Sequence, residues 1–260
     1  MSLPLYQVDA FTGAVFAGNP AAVCPLDDWL PDAMLQSIAA ENNLSETAYF
    51  VPDGDGYALR WFTPAAEVDL CGHATLASGF VIMTLLQPGR DSVAFHTRVS
   101  GTLTVARDGD RFVMDLPQWP ADPATVSPDL GAALGRAPAL LFTGPDWMAV
   151  FDHEGDVAAL DPDMAALARI EARGVIATAT GRDVDFVSRF FAPRFGIPED
   201  PVTGSAHCML APYWAERLGK TDLLARQISR RGGEVHCTVA DGRVRLAGRA
   251  VLYMEGRIHV

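Results

Sequence analysis

Apolar and polar residues alternate along several short stretches of the chain, which is the pattern of half-buried β-strands. LYQVDAFT at 5–12 alternates in this way, and AAVCPL at 21–26 is a short apolar run after the turn residues GNP. A helix is predicted over 31–43, PDAMLQSIAAENN, because its apolar residues recur at helical spacing behind a proline. The stretches TAYFV and YALRWFT flank PDGDG and predict a β-hairpin over 47–63.

The pattern is interrupted at 117–138, where PQWPADPATVSPDLGAALGRAP contains five prolines. This segment is interpreted as the passage between two halves of the chain. Two domains are therefore expected, 1–117 and 118–260, with the last strand as the element that could cross back to the first domain.

The second half again mixes the two kinds of element. PDMAALARIEARG at 162–174 has the spacing of a helix, and VIATAT at 175–180 and VDFVSRFFA at 184–192 have the character of strands. More strands are expected in 234–260 around an Asp-Gly turn. The chain as a whole predicts an α+β protein.

Two segments resemble each other, RWFTPAAEVDLCGHATLAS at 60–78 and RFFAPRFGIPEDPVTGSAHC at 189–208. Each begins with an arginine, two aromatic residues, a small or polar residue and a proline. A two-residue insertion then aligns Asp69 with Asp200, and glycine and small residues open a helix-like run in both segments. We interpret this as the duplication of a whole α+β unit, so that each domain contributes one helix N-terminus.

These helix entrances have the features of an anion site. The first N–H groups of a helix have no partner within it, and the helix dipole is positive at that end. Gly72 and Gly204 would let a ligand approach the backbone, while Ala74 and Ser205 are small enough to keep the entrance open. The pattern predicts a cage for a small carboxylate.

Two simpler interpretations of the polar residues stay open. Helix capping alone would explain Asp69, Asp200 and Ser205. Glu46, in ENNLSETAYF, enters a predicted strand after an Asn-rich helix end. If the strand carries it into a cleft, loss of solvent raises its pKa and suits it to accept and donate a proton. The alternative is an exposed acid at the start of a strand.

The charge balance narrows the classes of partner. The chain has 20 Lys and Arg against 32 Asp and Glu, a formal net charge of −12, which disfavours binding to nucleic acid. The opening MSLPLYQVDAF lacks the pattern of a signal peptide, and no apolar run is long enough to span a bilayer. We therefore expect a cytoplasmic protein with no membrane partner.

The cysteines do not form a recognisable framework. They are far apart in sequence, at Cys24, Cys71, Cys208 and Cys237. No C-x-x-C pair is present, so neither a disulfide scaffold nor a zinc site is predicted. One alternative is a metal site made by Cys71, His73, His207 and Cys208, although these spacings are unlike those of zinc ligands.

Taken together, NLSETAYF, DLCGHATLA and GIPEDPVTGSAH resemble motifs of the PhzF family of phenazine biosynthesis. VDAFT with GNPAAV near the start and GRVRLAGRAVL near the end match as well, so the resemblance covers nearly the whole chain. It implies the diaminopimelate-epimerase-like fold, with two pseudosymmetric domains, each a barrel-like sheet around a central helix, and an active site between them.

The resemblance also implies a reaction and a set of residues. Family members in phenazine synthesis isomerise trans-2,3-dihydro-3-hydroxyanthranilate by moving a proton between ring carbons, without metal or organic cofactor. The family's acid/base glutamate falls on Glu46, and its other active-site residues fall on His73, Asp200 and Ser205. A homodimer is implied by analogy alone.

Other functions are compatible with these residues. The wider superfamily includes epimerases that use two opposed thiols. Cys71 stands where the first would be, but Val202 aligns with the second, which argues against that chemistry. A tautomerase or epimerase acting on another carboxylate, and a binding protein that only holds a small carboxylate, remain the alternatives.

Overall fold

The computed structural model describes residues 1–260, which form two compact units. The first unit is Met1–Asp115 with Ala247–Val260, and the second is Leu116–Leu246. None of the helices combines the length and apolar character that crossing a bilayer requires.

Strands are the main regular elements of both units. The first half of the chain supplies β1 (Ser2–Ala10), β2 (Asn19–Pro25), β3 (Glu46–Asp53), β4 (Gly56–Phe62), β5 (Glu67–Val68), β6 (Ser92–His96), β7 (Thr102–Asp108) and β8 (Arg111–Pro117). The rest supplies β9 (Asp122–Ala124), β10 (Leu140–Thr143), β11 (Trp147–Val150), β12 (Val175–Thr180), β13 (Phe186–Ala192), β14 (Ile197–Asp200), β15 (Asp222–Gln227), β16 (Gly233–Ala240), β17 (Arg243–Gly248) and β18 (Ala250–His259).

The helices are fewer. They are α1 (Asp32–Asn42), α2 (Gly72–Val81), α3 (Pro128–Leu134), α4 (Glu154–Ala158), α5 (Met164–Leu167) and α6 (His207–Leu218). A π-helical turn over Ile82–Leu86 prolongs α2, and a 3-10 turn over Pro193–Phe195 precedes β14.

The sheet of the first unit has a regular alternation of directions. β1 is antiparallel to both β18 and β2, β2 is parallel to β3, and β3 forms the expected antiparallel hairpin with β4. β4 then pairs in parallel with β6, which continues into antiparallel β7 and β8. The short β5 folds back onto the end of β4.

The sheet of the second unit repeats this order. β10 is antiparallel to β9 and β11, β11 is parallel to β12, and β12 is antiparallel to β13. β13 pairs in parallel with β15, which is antiparallel to β16, and β14 folds back onto β13 as β5 does onto β4. The two units thus share one topology, as the repeated sequence predicts.

Helix α2 lies inside the first unit. All nine residues from His73 to Val81 are buried, as expected of a helix enclosed on every side. The helix contacts several strands of the sheet, including β2 and β7. A methyl group at Gly79 would come within 2.6 Å of Val105 Cγ1, so this position has to be glycine for the helix to reach β7.

An arginine–glutamate ion pair in each unit explains why the repeated segments begin alike. Arg60 on β4 donates two hydrogen bonds to Glu67 on β5, both of 2.7 Å, and Arg189 on β13 donates two to Glu199 on β14, of 2.7 and 2.9 Å. In both units the guanidinium also lies over the second aromatic residue after it. The repeated arginine therefore ties the short return strand to the sheet.

The strand pairing in these two hairpins corrects the expected alignment of the two segments. Trp61 faces Val68 across the first hairpin, whereas Phe190 faces Asp200 across the second. Asp200 is thus equivalent to Val68, and the alignment of Asp69 with Asp200 was wrong. The insertion is three residues long and lies in the turn before the return strand.

The corrected alignment also changes which residue of the second unit is equivalent to Cys71. Counting forward without gaps from the equivalent glutamates, Cys71 matches Thr203, so the match to Val202 was wrong. The conclusion drawn from it is unchanged, because a threonine offers no second thiol.

Two helix predictions in the second half were inaccurate. The proline-rich passage contains α3, which begins at a proline after Ser127 and ends at Gly135 in the left-handed conformation (φ 75°), so start and stop signals were present within it. The helix expected over 162–174 is only the four-residue α5, capped by Asp163 and followed by tighter turns.

Candidate active site

Glu46 is the first residue of β3 and lies inside the first unit. Its neighbour across the parallel pairing is Ala21 on β2. The residue is 9% exposed, so the alternative of an exposed acid at the start of a strand was wrong. The strand carries the carboxylate to the first turn of α2.

The carboxylate of Glu46 contacts the imidazole of His73. Nε2 of the ring lies 3.2 Å from Oε2 of Glu46, a close contact that is not aligned as a hydrogen bond, and the His73 side chain is 5% exposed. Burial lowers the pKa of His73 to about 3, opposed by a backbone hydrogen bond at Pro20. The ring is therefore neutral at pH 7 and presents one N–H group.

Asn19 determines which ring nitrogen carries that proton. Its Nδ2 lies 3.2 Å from Nδ1 of His73, and an amide nitrogen can only donate. Nδ1 accepts, so the proton sits on Nε2 and faces Glu46. The sequence pattern does not predict this role, because GNP has the character of a turn, and the only signal in the sequence is a polar residue that opens an apolar run. In the structure Asn19 is fully buried as the first residue of β2.

Cys71 completes this cluster. Its Sγ lies 3.5 Å from Nδ1 of His73, beside Asn19, and the residue is the buried position directly before α2. The thiol and the carboxylate therefore touch opposite nitrogens of one imidazole.

A metal ion would be held poorly by these groups. One donor atom from each of Glu46, Cys71 and His73 lies within 4.8 Å of the others. A tetrahedral ion needs its donors about 2.0–2.3 Å away around a single point. The carboxylate contacts Nε2 and the thiol contacts Nδ1, so the two other donors lie against different nitrogens of the ring and do not surround a single point.

The other pair in the alternative metal site is packed into the second unit. His207 lies 2.8 Å from the carbonyl oxygen of Thr203 through Nδ1, and its ring packs against Phe186. Burial raises the pKa of the Cys208 thiol to about 12, so the thiolate that a metal needs is disfavoured.

The remaining predicted residues of the first unit differ in their surroundings. Gly72 and Ala74 lie in the first turn of α2, on either side of His73, and Ala74 is fully buried. Asp69 is exposed in the loop before the helix. It lines a hollow of about 340 Å³ whose lining includes Trp61 and Arg98 but neither Glu46 nor His73.

Asp200 belongs to a small polar network at the end of β14. Its Oδ2 accepts a 2.5 Å hydrogen bond from the hydroxyl of Thr203. The buried amide of Gln227 donates to the main-chain oxygen of Asp200 and accepts from the main-chain nitrogen of Thr203, at 2.7 and 2.8 Å. The carboxylate is thus held in one orientation ahead of α6.

Gly204 and Ser205 form the turn from which α6 starts. Gly204 is buried, and its carbonyl accepts from the main-chain nitrogen of His207. The half-buried hydroxyl of Ser205 lies 3.2 Å from Nη2 of Arg173, a residue that the sequence analysis did not single out. Ser205 is thereby tied to a cation.

Capping was the wrong interpretation for these side chains. The residues at the N-caps of α2 and α6 are Cys71 and Ala206, and neither helix has a side-chain cap hydrogen bond. Asp69, Asp200 and Ser205 consequently need another explanation.

Comparison with known proteins assigns this architecture. The model of phenazine biosynthesis-like proteins matches residues 8–256. The chain belongs to the phenazine biosynthesis-like (PhzF) family. It is 52% identical to an uncharacterized isomerase of Pseudomonas aeruginosa over 260 residues, covering 100% of both chains.

Solved structures agree with this assignment. A PhzF family protein of Enterococcus faecalis superposes with a TM-score of 0.97 at 46% identity and full coverage of both chains. A hydroxyproline epimerase of Agrobacterium vitis, 12% identical, has the same fold with a TM-score of 0.61, covering 99% of this chain and 92% of its own. The expected diaminopimelate-epimerase-like fold is confirmed.

Proposed function

We propose that this PhzF family protein is a cofactor-independent isomerase that moves a proton between two carbon atoms of a small carboxylic acid, with Glu46 as acid and base. The observation that carries the proposal is the contact of Glu46 Oε2 with Nε2 of a neutral, buried His73. Relatives such as that of Pseudomonas aeruginosa are named isomerases, which supports the reaction class.

Glu46 performs both halves of the transfer. As a carboxylate it removes a proton from one carbon, and the electron pair left behind shifts through the adjacent double bond. The carbon at the far end then takes the same proton back from Glu46. One carboxylate suffices when water is excluded, and the low exposure of Glu46, 9%, supports such a mechanism.

His73 supports this cycle without being charged. Its Nε2–H group faces the carboxylate and stabilises the ionised form, which burial alone would disfavour. Because Asn19 holds the opposite nitrogen, the ring neither flips nor exchanges its tautomer during the reaction.

The other predicted residues are assigned to substrate binding. Gly72 and Gly204 supply backbone N–H groups, and Asp200 and Ser205 orient the amino or hydroxyl group and the carboxylate of the substrate. Support comes from the family resemblance and from the fixed orientation of Asp200 by Thr203. Dihydro-hydroxyanthranilate is one member of this chemical class, and the residues named here do not define the pocket that would select its ring.

Epimerisation by two thiols has less support. Cys71 is present, but the equivalent position in the second unit is Thr203, which cannot act as the opposing thiol. A homodimer remains part of the proposal by analogy, and the mass of the particle in solution tests it.

One substitution distinguishes an isomerase from a protein that only binds a carboxylate without catalysis. Glu46→Gln removes the proton carrier but keeps the shape of the side chain. An isomerase loses turnover and retains ligand affinity, whereas a binder has no turnover to lose and holds an anion at least as tightly. Glu41→Gln, an exposed position on α1, is the control for loss of one negative charge.

A further inference from the structure

Arg173 and Asp146 are brought together in the second unit by strand pairing. Arg173 lies two residues before β12 and Asp146 directly before β11, and these strands run in parallel with Trp147 opposite Val175. Nη2 of Arg173 lies 2.5 Å from Oδ2 of Asp146. The carboxylate is completely buried, whereas the arginine side chain is 42% exposed.

Asp146 is an unusual group to find in this position. Burial raises its pKa, opposed by Arg173 and by a backbone hydrogen bond at Gly174. Its second oxygen, Oδ1, is buried without a hydrogen-bond partner. A buried acid held by one partly exposed arginine is poorly explained by stability alone, because replacing such a pair with apolar residues is often neutral or stabilising.

The guanidinium is fixed on several sides. The nitrogen that contacts Asp146 also lies 3.2 Å from the hydroxyl of Ser205. The group lies over two aromatic rings, 5.4 Å from the centroid of Trp119 and 5.7 Å from that of Phe190. Only Nη2 is used in hydrogen bonds within the protein, so the N–H groups on Nε and Nη1 are left for a ligand.

The position of Arg173 in the repeat is informative. Ala48 pairs with Trp61 in the first unit and Ile176 pairs with Phe190 in the second, so Gly174 is equivalent to Glu46. Counting from the equivalent glutamates likewise matches Ser205 to His73. Arg173 is thus one residue before the position of Glu46, and its guanidinium contacts Ser205, the equivalent of His73.

We propose that Arg173, oriented by Asp146, binds the carboxylate of the substrate together with Ser205. This inference rests on the proposed function, because it names the group that recognises the acid part of the substrate. The positively charged guanidinium can donate a charge-assisted hydrogen bond to a carboxylate from Nε or from Nη1, and its aromatic neighbours keep it from relaxing into solvent. Asp146 is a positioning residue in this arrangement.

The test compares two probes that differ only in charge, 2-aminobenzoate and 2-aminobenzamide. Their dissociation constants are measured by calorimetry on the wild type, Arg173→Gln and the control Arg182→Gln, an exposed arginine of the same unit. Arg173→Gln should weaken binding of the acid roughly 10–100-fold and leave the amide unchanged. Arg182→Gln should change neither.

Loss of folding in Arg173→Gln is addressed by a second variant. Asp146→Asn with Arg173→Gln removes both charges and should show the same selective loss of acid binding. The proposal is overturned by equal losses for acid and amide, by no loss, or by a wild type that does not bind the acid at tens of millimolar.

Failure of this inference is distinguishable from failure of the proposed function. Selective acid binding through Arg173 in a protein that never moves a proton contradicts only the isomerase proposal. Conversely, turnover that depends on Glu46 but is unchanged in Arg173→Gln contradicts only the assignment of Arg173.

Discussion

Oε2 of Glu46 lies 3.2 Å from Nε2 of His73, and both side chains are almost excluded from solvent. Burial disfavours a charge on either group. Which ring nitrogen of His73 carries the proton therefore determines whether the imidazole stabilises or repels the carboxylate. Asn19 sets that direction from the far side of the ring.

Replacing Asn19 with aspartate should reverse the tautomer of His73. Aspartate accepts where asparagine donates, so Nδ1 would take the proton and Nε2 would turn its lone pair toward the carboxylate. We expect turnover to fall roughly 10–100-fold, as when the orienting partner of a functional histidine is lost. Nitrogen NMR shifts of the ring report the tautomer, and Asn42→Asp on α1 is the control. Unchanged turnover together with a proton still on Nε2 would contradict this role.

His207 should make stability depend on pH. Burial lowers its pKa to about 4, below the ordinary value of 6.5. As pH falls below about 6.5 the unfolded chain binds a proton that the native state refuses, so stability is present at neutral pH and declines on acidification. Between pH 7 and pH 5 this imidazole should contribute a loss of about 2 kcal/mol. Urea unfolding of His207→Gln should show a correspondingly shallower pH dependence; an equal slope in wild type and variant would refute it.

The ion pair between Arg60 and Glu67 should stabilise the fold of the first unit. Arg60 is buried, donates to both Glu67 and Asp32, and lies over Trp29 and Phe62. Lysine cannot reproduce the fork or the stacking, so we expect Arg60→Lys to lower the free energy of unfolding by about 2 kcal/mol.

The matched control for this substitution is Arg98→Lys. Arg98 also contacts Glu67, at 3.3 Å, but its side chain is 56% exposed, so the change should be near zero. Equal effects of the two substitutions would show that the fork itself adds nothing.

Local sequence patterns predicted the first unit well. The alternation in LYQVDAFT, the helical spacing behind Pro31 and the hairpin around PDGDG all correspond to observed elements. Helix α1 buries one face, so its periodicity is visible in the sequence, whereas the hairpin strands are short apolar runs bounded by turn residues.

The failures have a different physical origin. The equivalence of Asp200 with Val68 depends on which residues face each other across a hairpin, and a turn that is three residues longer hides this from a linear alignment. Asn19, Asp146 and Arg173 were missed because each is a single polar residue beside a strand. Only pairing between strands shows what such residues touch.

The most direct test of the account is isotope exchange in deuterated water. Purified protein is mixed with dihydro-hydroxyanthranilate, the substrate isomerised by PhzF family members of phenazine synthesis, and followed by proton NMR, with Glu46→Gln and Glu41→Gln in parallel. The account predicts isomerisation for wild type and Glu41→Gln, with protium retained at the carbon that receives the proton because Glu46 returns the proton it removed, and no isomerisation for Glu46→Gln. Isomerisation that persists in Glu46→Gln would contradict the central role of this carboxylate.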